Sequence, residues 1–232
     1  MLDFSRFEIL TFDCYGTLIS WEEGILTCLH RVLEAHGKSV DDARILSLYG
    51  DFEANAEQGD YRCYRDVLAS VVRDFGKEFE FVPSDQEANS LAESLKNWRP
   101  WPDTVDALRK LRSRFRLAIV SNIDDDLFSA TRPLLGVEFD HVITAQQARA
   151  YKPSSKIFQL ALGRIGLPPS SILHVGQSIY HDVIPAQSLG LAAVWVNRPS
   201  RRTGVGAVKA AEAHPDLQVS SLAELAAACA AK

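Results

Sequence analysis

Asp13, Ser121, Lys152 and Asp182 are the residues of this sequence best suited to making and breaking bonds, and each lies just beyond an apolar run. Asp13 closes Glu8-Ile9-Leu10-Thr11-Phe12. Ser121 and Asn122 follow Leu117-Ala118-Ile119-Val120, and Lys152 comes after Val142-Ile143-Thr144. Gln177, Ser178 and Asp182 come after Ile172-Leu173-His174-Val175. Short apolar runs bounded by polar or turn residues read as buried strands. In a doubly wound sheet, ligands bind at the carboxyl ends of the strands, so these polar groups are expected at one edge. An aspartate there can attack as an oxygen nucleophile, giving an ester or acyl phosphate that water then hydrolyses. Lys152 would set a fixed positive charge beside it and keep it ionised when the site closes. Ser121 and Asn122, with backbone amides near Gly16 and Thr17, suit an anionic group.

The elements that must position these residues fall into two patterns. From Ser20, Ile25, Leu26, Leu29, Val32 and Leu33 recur at helical spacing, and Ser20 with Glu23 makes a capping box in sequence. A second helix fits 41 to 58, with Ile45, Leu48, Tyr49 and Phe52 on one face, and a third fits 61 to 75; Gly59 and Gly76 are expected to close them. A fourth opens at Ser84, with Glu87 three residues on and Leu91, Leu95 and Trp98 on one side. Pro100 and Pro102 then break the pattern. Beyond them, helices at 103 to 113, 125 to 135, 155 to 165 and 181 to 189 alternate with apolar runs, the last being Ala193-Val194-Trp195-Val196. That alternation predicts a parallel sheet covered by helices. The fold class is therefore α/β: a Rossmann-like, doubly wound core from 1-16 and 100-232, with a helical bundle at 17-99 inserted after the first strand. The Ala-rich stretch from Ser221 to Ala231 reads as a terminal packing helix.

Composition narrows the function classes. The 232 residues are 47% hydrophobic and 24% charged, an ordinary globular balance. The start carries no basic segment followed by an apolar stretch, and no run approaches the roughly 18 apolar residues of a membrane span. The expectation is a soluble, cytoplasmic protein with no membrane partner. Cys14, Cys28, Cys63 and Cys229 lack metal spacing and read as free thiols. A net charge of −5 opposes nucleic-acid binding, and the Arg198, Arg201 and Arg202 cluster reads as a solvated loop.

Four segments together resemble the motifs of the haloacid dehalogenase superfamily: TFDCYGTL at 11–18, IVSN at 119–122, YKPSSKIF at 151–158 and HVGQSIYHD at 174–182. The helical insertion sits where that family places its cap. The resemblance implies Asp13 as nucleophile, with Ser121, Lys152 and Asp182 as its catalytic companions. Tyr15, Thr17, Trp21, Asn122, Gln177 and Ser178 are then expected around the substrate. It implies hinges near 16 to 20 and 98 to 102, and a homodimer.

Two positions distinguish branches within that family. Its phosphatases carry a second aspartate two residues after the nucleophile, to protonate a leaving alkoxide, where this chain has Tyr15. They also place an acidic metal ligand where this chain has Gln177, so no strong magnesium site and no cofactor is expected. A halide needs no proton, so the sequence resembles the L-2-haloacid dehalogenase branch, acting on a short carboxylate without metal. Those enzymes carry a tyrosine six residues after the motif lysine, where this chain has Phe158, and they use a cap arginine, for which Arg65 is the best candidate and Arg62 the second. The chain also resembles relatives that open the ring of azetidine-2-carboxylate. A magnesium-dependent phosphatase and a silent carboxylate-binding protein remain the alternatives.

Overall fold

The computed structural model describes residues 2–200, 207 and 211–230. Strand β1 (Ile9–Phe12) is buried along its whole length and leads into four helices: α1 (Trp21–Ala35), α2 (Asp42–Ala56), α3 (Tyr64–Glu78) and α4 (Asp85–Ser94). The chain then returns through α5 (Thr104–Arg112), β2 (Arg116–Ser121), α6 (Asp125–Thr131), β3 (His141–Thr144) and the short α7 (Ala145–Ala148). It continues with α8 (Ser155–Ile165), β4 (Ile172–Gly176), α9 (Ile184–Ser188), β5 (Ala192–Val196), β6 (Leu217–Val219) and α10 (Leu222–Ala230). The six strands among the described residues are all parallel, in the order β3-β2-β1-β4-β5-β6. This doubly wound order reverses between β1 and β4, where such folds open a crevice. Phe12 pairs with both Ile119 and Val175, so Asp13, Ser121 and Gly176 end their strands close to one level.

The helices form where apolar spacing placed them, with four differences. Ser84 and Glu87 make the expected capping box, but Ser20 leaves its side chain out of the N-terminus of α1. Gly76 lies inside α3 because Phe81 and Pro83 pack so close that a Cβ there would collide with them. Tyr61 precedes α3 instead of opening it. The segment expected as helix 181–189 starts as a single π turn, Ile179–Val183, before α9. The strand β6 and the helix α7 are short enough to leave no periodicity in the sequence.

The insertion leaves and re-enters the core through a paired ribbon. Ile19 bridges to Pro100, Ser20 N–H donates to the Arg99 carbonyl at 2.8 Å, and Trp101 N–H donates to the Leu18 carbonyl at 3.0 Å. The Trp101 indole donates to the Gly16 carbonyl at 3.0 Å, and the Thr104 hydroxyl to the Leu18 carbonyl at 2.9 Å. Arg198 corrects the expectation of a solvated arginine loop. It is 6% exposed, pairs with Asp103 at 2.7 Å and donates twice to the Thr17 carbonyl. Arg201 and Arg202 lie outside the described residues. The four cysteines are free thiols, and no described helix is long and apolar enough to cross a membrane.

Candidate active site

At the level where β1, β2 and β4 end, Lys152 is 2% exposed and its ammonium donates three hydrogen bonds. They go to Asp13 Oδ1 at 2.8 Å, Asp182 Oδ1 at 2.7 Å and the Val120 carbonyl at 3.0 Å. An ammonium has three donors, so all are used, and Lys152 is a fixed cation with no proton to spare. Burial works against its charge, but the two carboxylates hold its pKa above the ordinary lysine range. Asp182 is likewise buried, yet Lys152 and His174 keep its carboxyl well below the usual range. Burial pushes the Asp13 carboxyl up, opposed by the Lys152 charge and by its hydrogen bonds from Lys152 and Thr17.

A supporting layer fixes this triad. His174, fully buried, faces Asp182 Oδ1 with Nε2 at 3.2 Å and Thr11 Oγ1 with Nδ1 at 2.9 Å. A carboxylate only accepts, so Nε2 carries a proton and donates it to Asp182. Asp182 also accepts from Ser178 N–H at 3.1 Å. It packs so tightly on Gly176 that a Cβ there would overlap its carboxyl. Gly16 adopts φ +93 with the Gln177 amide where a Cβ would stand, so the turn after Asp13 demands glycine.

The other residues expected at the site divide by what they touch. Thr17 is fully buried, donates to Asp13 Oδ2 at 2.7 Å and accepts from Gln177 N–H at 2.8 Å; it orients the carboxylate and is not on the cavity wall. Asn122 exchanges two hydrogen bonds with the Lys152 backbone, at 2.7 and 3.1 Å, and so fixes the loop that carries the lysine. Tyr15, Trp21, Ser121, Asn122, Gln177 and Ser178 line a cavity over Asp13 with about 40 Å³ of free space, room for only a few water-sized groups. The Tyr15 hydroxyl is taken by Thr131 at 2.8 Å. Trp21 is 5% exposed, and its Nε1–H has no acceptor among the described residues. Arg65 does not reach the cavity. Its guanidinium pairs with Asp126 on the surface at 2.7 Å, and Arg62 binds the Ala56 carbonyl and Ser70.

What the cap contributes instead is acidic. Glu53 of α2, Glu57 at the end of that helix and Tyr64 of α3 line the same cavity. Glu53 is 7% exposed, and its Oε1 accepts from the Tyr49 hydroxyl at 2.9 Å and from the Tyr64 hydroxyl. Burial raises its pKa to about 7, against those two bonds and with help from the Asp13 charge. Burial and then Glu53 push the Glu57 carboxyl well up as well. Tyr49 and Glu53 stand four residues apart, on one helix face. That spacing was the available signal; Tyr64, from the next helix, carried none.

The chain thus combines a parallel α/β sheet, a helical insertion after the first strand and a strand-end carboxylate clamped by a buried lysine. Residues 7–190 match the haloacid dehalogenase-like hydrolase family, and the chain belongs to that family. Among similar proteins is haloacetate dehalogenase H-2 of Moraxella sp. (strain B), 29% identical over 199 residues covering 83% of this chain and 87% of that one. The (S)-2-haloacid dehalogenase of Pseudomonas fluorescens is 26% identical and covers 92% of both. The fold is shared with the L-2-haloacid dehalogenase of Xanthobacter autotrophicus solved with chloropropionic acid covalently bound. That structure matches at a TM-score of 0.80 and 19% identity, over 95% of this chain and 97% of that one.

Proposed function

We propose that the chain is a metal-independent hydrolase in which Asp13 displaces halide from a short 2-haloacid through a covalent ester. The observation that carries this reading is the Lys152 ammonium bonded at once to Asp13 and Asp182. The lysine places a positive charge between the two buried carboxylates. Tyr15 adds support: its hydroxyl is bound to Thr131 and faces away from acid catalysis at the nucleophile. The small cavity over Asp13 favours a small substrate.

In this mechanism Thr17 and Lys152 each hold one Asp13 oxygen in place. One of these oxygens attacks the halogen-bearing carbon, and the carbon–halogen electron pair leaves with the halide. Water then attacks the Asp13 carbonyl carbon of the ester, releasing the 2-hydroxy acid and a proton and restoring the carboxylate. In this reading Ser121, which lines the cavity, and the backbone beyond Asp13 hold the substrate carboxylate. The test is halide release or ring opening by purified protein in EDTA, with 2-chloropropionate, fluoroacetate and azetidine-2-carboxylate. Turnover of none refutes the reading. Hydrolysis of p-nitrophenyl phosphate that appears only with magnesium supports the phosphatase alternative instead.

A further inference from the structure

The cavity over Asp13 has one side that the displacement of chloride or bromide does not require. On that side stand the two groups of the cap that can donate to a small anion: the unpartnered Trp21 Nε1–H and the Glu53 carboxyl. They form one packed unit. The Trp21 ring meets the Tyr49 ring edge-on at 5.9 Å, and the Tyr49 hydroxyl holds Glu53 Oε1 at 2.9 Å. Tyr64 binds the same oxygen, and among the described residues Oε2 takes no hydrogen bond, so Oε2 is the position for a proton or a ligand. Several of the other donors near Asp13 are committed. Lys152 has used all three, Tyr15 is bound to Thr131, and Tyr64 donates to Glu53.

We propose that Glu53 in its carboxylic acid form, together with Trp21 Nε1–H, is the leaving-group subsite, and that Glu53 hydrogen-bonds the departing atom as its bond to carbon breaks. This rests on the Asp13 displacement reading and adds to it a preference for fluoride, the halide that most needs hydrogen bonds as it leaves. Asp13 Oδ forms the bond to carbon, and the carbon–fluorine electron pair departs on fluorine. Fluoride accepts the Glu53 O–H and Trp21 N–H hydrogen bonds while the proton stays on Glu53, because fluoride is a weaker base than this carboxylate. The groups facing Glu53 are Tyr49 of its own helix, Glu57 just beyond that helix, Tyr64 of α3, and Asp13 across the cavity. Burial and the neighbouring acids favour the protonated form up to about pH 7.

The experiment compares kcat/KM for fluoroacetate and bromoacetate, in EDTA, between pH 5.5 and 8.5. Glu53→Leu is expected to lower the fluoride-to-bromide ratio roughly hundredfold to thousandfold, the range for loss of a donor at developing charge. The wild-type ratio should fall as pH rises through about 7. In Glu53→Gln, which keeps an N–H donor but cannot ionise, the ratio should be flat with pH. Equal slowing of both substrates by Glu53→Leu, or a pH-dependent ratio that survives in Glu53→Gln, overturns the inference while leaving the Asp13 reading intact. Absence of bromoacetate turnover in wild type overturns the Asp13 reading. In that case sodium fluoride titration at pH 6, read by thermal shift, still decides the subsite. Stabilisation of wild type but not of Glu53→Leu supports it, and no stabilisation of wild type refutes it.

Discussion

Glutamine at position 53 keeps the shape of the side chain and an oxygen for the Tyr49 and Tyr64 hydroxyls, but removes the ionisation. In the native fold the Glu53 carboxyl titrates near 7 against an ordinary 4.5. At roughly 1.4 kcal/mol per pH unit, that gap is worth about 3 kcal/mol. The sign follows from proton binding. Between about 4.5 and 7 the folded protein holds a proton that the unfolded chain has lost, so the stability contributed by Glu53 is full below 4.5 and disappears as pH rises through 7. Wild type and Glu53→Gln should therefore match within about 1 kcal/mol at pH 4.5. By pH 8 the glutamine variant should be more stable by about 3 kcal/mol, a gain in melting temperature of roughly 6–12 °C for a chain of this size. Urea unfolding of both proteins across that pH range measures the difference directly, and titrations shared by the two cancel. Parallel stability curves would mean that Glu53 ionises freely in the fold, and the burial argument for it would fail.

Three further outcomes are expected. Lys152→Met leaves Asp13 and Asp182 buried together without their cation, so turnover should vanish and stability should drop by about 3–5 kcal/mol in chemical denaturation. Asp13→Asn should fold and bind but form no ester, seen as the absence of a mass increment on the protein after incubation with 2-chloropropionate. Gly16→Ala must take φ +93 and displace the Gln177 amide, so halide release should fall well over tenfold even where circular dichroism shows a folded protein.

Much of the core of this site was legible because strand-end residues announce themselves locally. Asp13, Ser121 and Asp182 each follow an apolar run, and the sheet order brings those run ends together. The finer roles were not local. Thr17 was expected to touch substrate, but the Gln177 backbone, a distant segment, makes it a brace for Asp13. Arg198 read as solvated because nothing beside it in sequence shows Asp103 or the Thr17 carbonyl. The expected cap arginine failed for a similar reason. Arg65 is in the cap, but helix phase turns it toward Asp126, while Glu53 takes the inward place. Side-chain direction on a helix depends on how the bundle packs, which short motifs do not encode.

The ribbon that joins Leu18–Ser20 to Arg99–Trp101 brings the two ends of the insertion side by side. A segment whose ends already touch costs the host sheet little in chain entropy, however long it is, because the loop is closed at its neck. The helical bundle is thus a graft on a pre-formed stem. Asp13, Lys152 and Asp182 are carried below that stem and Glu53 above it, so under the proposed mechanism the attacking group and the leaving-group subsite sit on separable pieces of chain. Exchanging the piece above the stem can redirect such an enzyme to new substrates without rebuilding its nucleophile.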